Sequence, residues 1–297
     1  MPRYPDDHAL SEVVGFILLL ALVVAALAVY QTYAVPAEGR DLEIASMNAV
    51  QQRFIEYHGM VTALWLSGQK GVAVSTSFAL GTAGSTVQGG FLQILRPTGS
   101  SGLLGVDGTD GVMEVATDRT PLPVAIPLGS LFYRSDNRYW LQQTYRYQAG
   151  GLFLVQDDGV VVRIPPPISV FNGKGTAVVN IVSVRLYGNT TIGGSSPVLV
   201  TSRLRDTPAY IDGGDCQWVL LRVTAGDAAA ADAWQRVFTG LVEREGIPPA
   251  WYQVGVAGNT AFLRVDGPSA GAGNDVRLVA GHADILVSLQ HVATGLA

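Results

Sequence analysis

Cysteine is nearly absent from this sequence. Cys216 stands alone, so no intrachain disulfide can form and a Cys-based metal site would lack its other thiolates. Charge is scarce as well: charged residues make up 14% of the chain, against about 25% in an ordinary soluble protein. Lys and Arg together number 19 and form no evident basic patch, so nucleic acid is not an expected partner. The 4 histidines, His8, His58, His282 and His291, have no His or Cys partner at ligand spacing. No phosphate-binding glycine motif follows an expected strand, and no serine elbow is present. Cys216 has no base near it in sequence. The chain therefore reads as no enzyme, with no catalytic, cofactor or metal residues. So few charges suit a protein that packs against its own copies or sits at a membrane. They equally suit a turn-rich β-protein, given 35 glycines.

What is present begins with residues 13–30, VVGFILLLALVVAALAVY, which carry no charge. At 1.5 Å per residue they make a helix of roughly 27 Å, close to a bilayer core of about 30 Å. Gln31 to Val35 can extend it before Pro36. Tyr30 and Tyr33 fall where an interfacial aromatic belt is expected. Three readings compete: a plain signal-anchor, a secretory signal cut after Ala28, and a leader cut ahead of a helix that is kept. The start, MPRYPDDHALSE, has Arg3 as its one basic side chain, where a secretory signal wants a more positive end. Glu12 abuts the apolar run. A charge well inside hydrocarbon costs about 2.5–3.5 kcal/mol, a cost that a partner in an assembly would relieve.

Residues 9–15, Ala-Leu-Ser-Glu-Val-Val-Gly, followed by Phe-Ile-Leu-Leu-Leu, resemble the N-terminus of archaeal type IV pilins and pilin-like surface proteins. Those carry a short charged leader, a small residue, then a motif close to A-V-S-P-V-I-G opening the apolar helix. The resemblance implies a class III leader cut between Ala9 and Leu10 by a prepilin peptidase, with Ser11, Glu12 and Gly15 in the processing and assembly motif. Glu12 stands where many relatives have Pro, and this leader is less basic than usual. A second, smaller likeness lies in the aromatic and turn residues at 129–133, 137–140 and 145–151. The resemblance further implies membrane lipid and other pilin subunits as partners. It implies a single-pass location with the C-terminal bulk extracellular, or in a pilus.

Beyond the membrane segment, Pro36 and Gly39 are expected to break the chain. Met47, Val50, Phe54, Tyr57, Val61 and Leu64 then recur on one helical face. Glu43, Gln51, Gln52, Arg53 and Glu56 are placed off that stripe. The helix either packs on the β-region or forms a stalk against neighbouring copies. Alternation predicts strands over 72–80, 91–95, 139–147, 177–187 and 198–204, and a hairpin over 152–164 turning at Asp157-Asp158-Gly159. After Trp218–Val223, an amphipathic run over 225–245 starts near Asp227 and ends at Gly246 and Pro248, with strands at 251–256, 260–265, 275–279 and 283–289. The fold class expected is an N-terminal transmembrane helix plus a mostly-β, sandwich-like ectodomain with a smaller α+β C-terminal part. The divisions are 1–9 leader, 10–35 membrane helix, 36–70 helical stalk, 71–210 β-rich region and 211–297 α+β part, where the last two can share one core.

Residues 107–111 and 212–215 look superficially like calcium loops but lack the remaining ligands, and read as turns. Asn189 opens the N-glycosylation sequon Asn189-Thr190-Thr191, expected in an exposed turn. The functional expectation is a pilin-like surface protein, a minor pilus subunit or an adhesion component. The alternatives are an anchored extracytoplasmic binding domain that never assembles, and a secreted enzyme released after Ala28.

Overall fold

The computed structural model describes residues 7–82, 95–120, 122–206 and 209–292, with side chains described except at 7–12 and 209–212. The first six residues of the expected leader and nearly all of the strand expected over 91–95 lie outside the described residues. A single rod runs from α1 (Asp7–Val29) through a π-turn (Tyr30–Ala34) into α2 (Val35–Ser67). The break expected at Pro36 and Gly39 does not occur. A proline inside a helix lacks a donor and collides with the carbonyl four residues back. Here the turn before it is wider, and the Val35 N–H reaches the Tyr30 carbonyl. Pro36 then occupies the first turn of α2, where a missing N–H costs least. The rod ends at Gly68, whose φ of 62° closes it in the left-handed conformation.

The strands follow as β1 (Ala73–Phe78), β2 (Ser101–Asp107), β3 (Val112–Thr117), β4 (Val124–Pro127), β5 (Ser130–Asp136), β6 (Thr144–Gln148), β7 (Gly151–Gln156) and β8 (Gly159–Ile164). Next come β9 (Ile168–Asn172), β10 (Ala177–Tyr187), β11 (Asn189–Gly194), β12 (Val198–Leu204), β13 (Ala209–Cys216) and β14 (Val219–Thr224). Helix α3 (Ala228–Arg244) precedes β15 (Tyr252–Ala257), β16 (Thr260–Val265) and β17 (Val276–His291). They form three sheets. The first has the order β1-β12-β17-β10-β9, with β13 also on β17; the second is β11-β2-β5-β6-β7-β8; the third is β15-β16-β14-β3-β4. The architecture is thus one long apolar N-terminal helix followed by a mostly-β region with a small C-terminal helix.

β17 organises the first sheet. It runs parallel to β10 along 177–187 and pairs on its other side with β13 and then β12. Two strands were expected here; Gly281 does not interrupt the ladder, where it faces Val182. Arg185 and Asp284 are also partners in it, joined by a two-pronged ion pair at 2.5 and 2.6 Å. The division expected at residue 211 does not separate two bodies. β3 and β4 lie before it, yet β3 pairs with β14 from after it. The Asp- and Gly-rich run at 212–215 is part of β13, not a turn. It holds a register shift between Asp212 and Gly214, and Gly214 takes φ 60° there, as a bulge demands.

Two apolar cores result. One joins α3 to all three sheets around Trp234, Phe238, Phe153, Leu221, Leu263 and Val179. The Asp227 carboxylate caps α3, accepting the Ala230 N–H at 2.8 Å, and Gly246 at φ 61° follows its end. The other core lies between the first and second sheets and is closed by α2, around Phe54, Tyr57, Phe78, Tyr147 and Ile285. The hairpin at 151–164 forms as read, with Gln156 opposite Gly159 across the two-residue turn. Tyr145 and Tyr147 share a buried face of β6. Tyr139 and Leu141, expected on the same strand, lie before it in a loop.

Candidate functional site: the apolar helix and the loop that holds it

The rod divides by environment. Along α1 the side chains of residues 13–24 are exposed, with Phe16 at 67% and Leu22 at 72%. This is one helix near the N-terminus long and apolar enough to cross a membrane. Gly15 has nothing near its Cβ position, so the surface around it is open.

From Val35 on, the same rod becomes the spine of the β-region. Val35, Gly39, Glu43, Met47, Val50, Phe54, Tyr57, Val61 and Leu64 are buried. The expected stripe is therefore the inward face, and α2 is a packed helix, not a free stalk. Its aromatics bridge two sheets. Phe54 meets Phe78 of β1 edge-on at 5.0 Å and stacks on Tyr145 of β6 at 5.9 Å. Tyr57 meets Tyr147 at 5.2 Å, and its hydroxyl is 2.9 Å from Ser202 Oγ of β12. Each aromatic removed from water contributes about 1.5–3 kcal/mol, and such ring pairs a further 0.5–1.5 or so. Burial pushes the Tyr57, Tyr145 and Tyr147 hydroxyls above their usual pKa, and Tyr133 to about 12. His58 lies at the edge of this packing, its ring 6.0 Å from that of Tyr147. Burial holds its pKa low, against a backbone hydrogen bond at Gly150.

At the N-terminal end of α2, one loop grips the helix. Glu43 is 1% exposed. Its two carboxylate oxygens accept the backbone N–H groups of Arg138 at 2.7 Å and Tyr139 at 2.8 Å. Loop 137–143 is itself tied together. Asn137 Nδ2 donates to the Leu141 carbonyl and Gln142 Nε2 to the Asn137 carbonyl, each at 2.8 Å. One turn lower, the Tyr139 ring lies over Gly39, where any Cβ would overlap it. The Arg40 guanidinium covers the Trp140 ring at 4.6 Å. Glu43 was placed off the helical stripe by its chemistry. Its position, four residues before Met47 and seven before Val50, sets it on the buried face. A carboxylate on an apolar line was the signal for a specific partner.

The other named residues are spread widely. Ala9, Leu10, Ser11 and Glu12 lie in α1 with their backbone helical. Asn189 is exposed, but it opens the edge strand β11 and does not sit in a turn. Asp107 closes a turn by accepting Thr109 N–H and Oγ1, and Asp110 accepts from Ser130 Oγ at 2.6 Å and Arg146. Cys216 is fully buried, donates to the Val276 carbonyl at 3.3 Å, and its thiol is pushed up to about 11, chiefly by burial. Among the described residues, no three His, Cys, Asp or Glu side chains converge to hold a metal. A groove of about 710 Å³ runs between the edge strand β8 and α3, where Arg236 donates to the Val160 carbonyl at 2.6 Å.

Fold and site together define a β-rich domain built around the continuation of one membrane-compatible helix. Residues 99–249, just over half of the chain, match the model of a family of unknown function, DUF7289, and the chain belongs to that family. The match starts beyond α2, so it covers the strands from β2 to β14 and α3, and leaves out the apolar helix, β1 and β15–β17. No curated protein and no solved structure matches the chain.

Proposed function

We propose that the chain is a pilin-like, membrane-anchored surface protein, a minor pilus subunit or a surface-contact component. The observation that carries this reading is the division of one unbroken rod. Its first half offers an apolar surface with small residues, Ala21, Ala25, Ala26 and Ala28, and its second half is the core of the domain it carries. Such a rod can exchange lipid contacts for helix–helix contacts without disturbing the domain, because small residues let backbones approach closely. In this reading a prepilin peptidase cuts between Ala9 and Leu10, the β-region faces outward, and Asn189 on its exposed edge strand is open to glycosylation.

Intact-mass measurement of the protein from native membranes tests the proposal. A mature chain beginning at Leu10 supports it. An uncut chain supports an anchored domain that does not assemble, and a start near Val29 would mean a secreted protein; either result refutes the pilin-type processing.

A further inference from the structure

The second sheet ends on β8, whose one strand neighbour is β7. Their hairpin shows which backbone groups of β8 face outward. Gln156 and Gly159 pair across a two-residue turn, so the next residue, Val160, turns its N–H and C=O away from β7. Arg236 agrees with this, because its guanidinium reaches the Val160 carbonyl from α3 at 2.6 Å. Strand groups alternate with a period of two. Val162, opposite Phe153, therefore presents its own N–H and C=O on the same free edge. Proteins usually cover or cap such an edge. Here Arg236 caps one carbonyl, and Val162 borders the groove between β8 and α3.

That groove has the dimensions of an added strand. The six residues of β8 extend about 20 Å. On the opposite wall, α3 rises about 22 Å from Ala229 to Arg244. A volume of about 710 Å³ over that length is a channel roughly 6 Å across, against a spacing of about 4.8 Å between neighbouring strands. Gly240 keeps the helical wall low, with nothing within 4 Å of its Cβ position. The lining is apolar at Val160, Val237 and Leu241, all buried, and at half-buried Val162. Arg244 stands among the polar lining residues. Its ion pair with the adjacent Glu245 is exposed and contributes little, so its charge is available to a carboxylate.

We propose that this groove takes an extended segment of another polypeptide, which joins the second sheet as a further strand beside β8. Such a segment is the ligand whose own N–H and C=O match the two groups that Val162 presents; a lipid tail or a sugar offers no such pair at strand spacing. Side chains at every second position of the segment pack on Val160, Val162, Val237 and Leu241, and those between face water. An acidic side chain meets Arg244. The chemistry that fits is thus an alternating apolar and polar peptide of about six residues with one carboxylate. The inference does not rest on a membrane anchor, since the groove lies wholly between β8 and α3.

The test is selection of random heptapeptides displayed on phage against the full chain in detergent, with counter-selection on Gly240→Trp. That substitution fills the groove at an open position and removes a glycine from a helix interior, so the fold is kept. Enriched peptides should alternate apolar and polar residues and carry Asp or Glu. The best of them, made synthetically, should bind at least tenfold more weakly to Gly240→Trp. It should bind at least tenfold more weakly to Val162→Pro as well, which removes an N–H outside the β7 ladder, a change that an edge strand tolerates. Melting curves of both variants check that they are folded. Should Val162→Pro not fold, amide exchange at Val162 in the parent chain replaces it, and the peptide should slow that exchange severalfold. No enrichment over the Gly240→Trp variant overturns the site. Equal binding by a folded Val162→Pro, or unchanged exchange at Val162 with the peptide bound, overturns strand addition.

Discussion

Replacing Glu43 by Gln should loosen the domain's hold on its own helix. The carboxylate accepts two backbone N–H groups from loop 137–143 while 1% exposed. Gln has the same shape but one acceptor, so one amide keeps a neutral bond and the other faces an NH2 group. Hydrogen bonds to a charged acceptor contribute about 1.5–3 kcal/mol each, and neutral ones roughly half as much. The loss of one bond and weakening of the other sum to about 2–4 kcal/mol, less the desolvation no longer required of a charge. For a chain of this size each kcal/mol shifts Tm by about 2–4 °C. Thermal unfolding of the full chain in detergent, followed by the near-ultraviolet signal of the buried tyrosines, should show a drop of up to about 4–16 °C. Amide exchange at Arg138 and Tyr139 should quicken in the variant while that of β10 and β17 changes little. An unchanged melting curve together with unchanged exchange at 138 and 139 would refute the reasoning, because the clamp would then contribute nothing.

Other outcomes follow from the same core. Tyr57→Phe leaves Ser202 Oγ buried without its partner, and should cost about 1–2 kcal/mol in equilibrium unfolding, with no change in the denaturant slope. Burial raises the pKa of Tyr57, Tyr133, Tyr145 and Tyr147 above the unfolded value near 10. The folded state therefore holds protons that the unfolded chain releases, and stability should be level below pH 10 and fall as pH rises toward 12. Absorbance titration at alkaline pH should show these hydroxyls ionising together with unfolding; their early titration in the folded protein would contradict this. The Cys216 thiol, pushed up to about 11 and fully buried, should resist a thiol reagent at pH 8 until denaturant is added.

Much of this fold was legible wherever local rules decide. The stripe from Met47 to Leu64 became the buried face of α2. The Asp157-Asp158-Gly159 turn set a hairpin, and Asp227 capped α3. The misreadings share a physical cause, which is that distant chain decides. Pro36 and Gly39 look like breakers, yet a π-turn absorbs the proline and the Tyr139 ring needs the glycine. Tyr139 alternates with Tyr145 and Tyr147 as a strand would, but its amide is claimed by Glu43. The boundary near 211 looked like a linker because Asp and Gly cluster there, and they serve a bulge against β17. Parallel pairing of β10 with β17, about a hundred residues apart, leaves no local mark at all. The candidate site was half visible: the apolar run announces a helix of membrane-spanning length, whereas the clamp depends on a loop that only the folded sheet brings to Glu43.

Controlled proteolysis of intact cells, followed by mass spectrometry of the carbonate-washed membranes, probes both halves of the rod at once. Peptides from beyond residue 67 should appear in the medium, while a fragment containing residues 13–30 stays with the lipid. Release of the whole chain by carbonate, or a β-region that protease cannot reach until the cells are broken, would contradict an outward-facing domain on a retained helix.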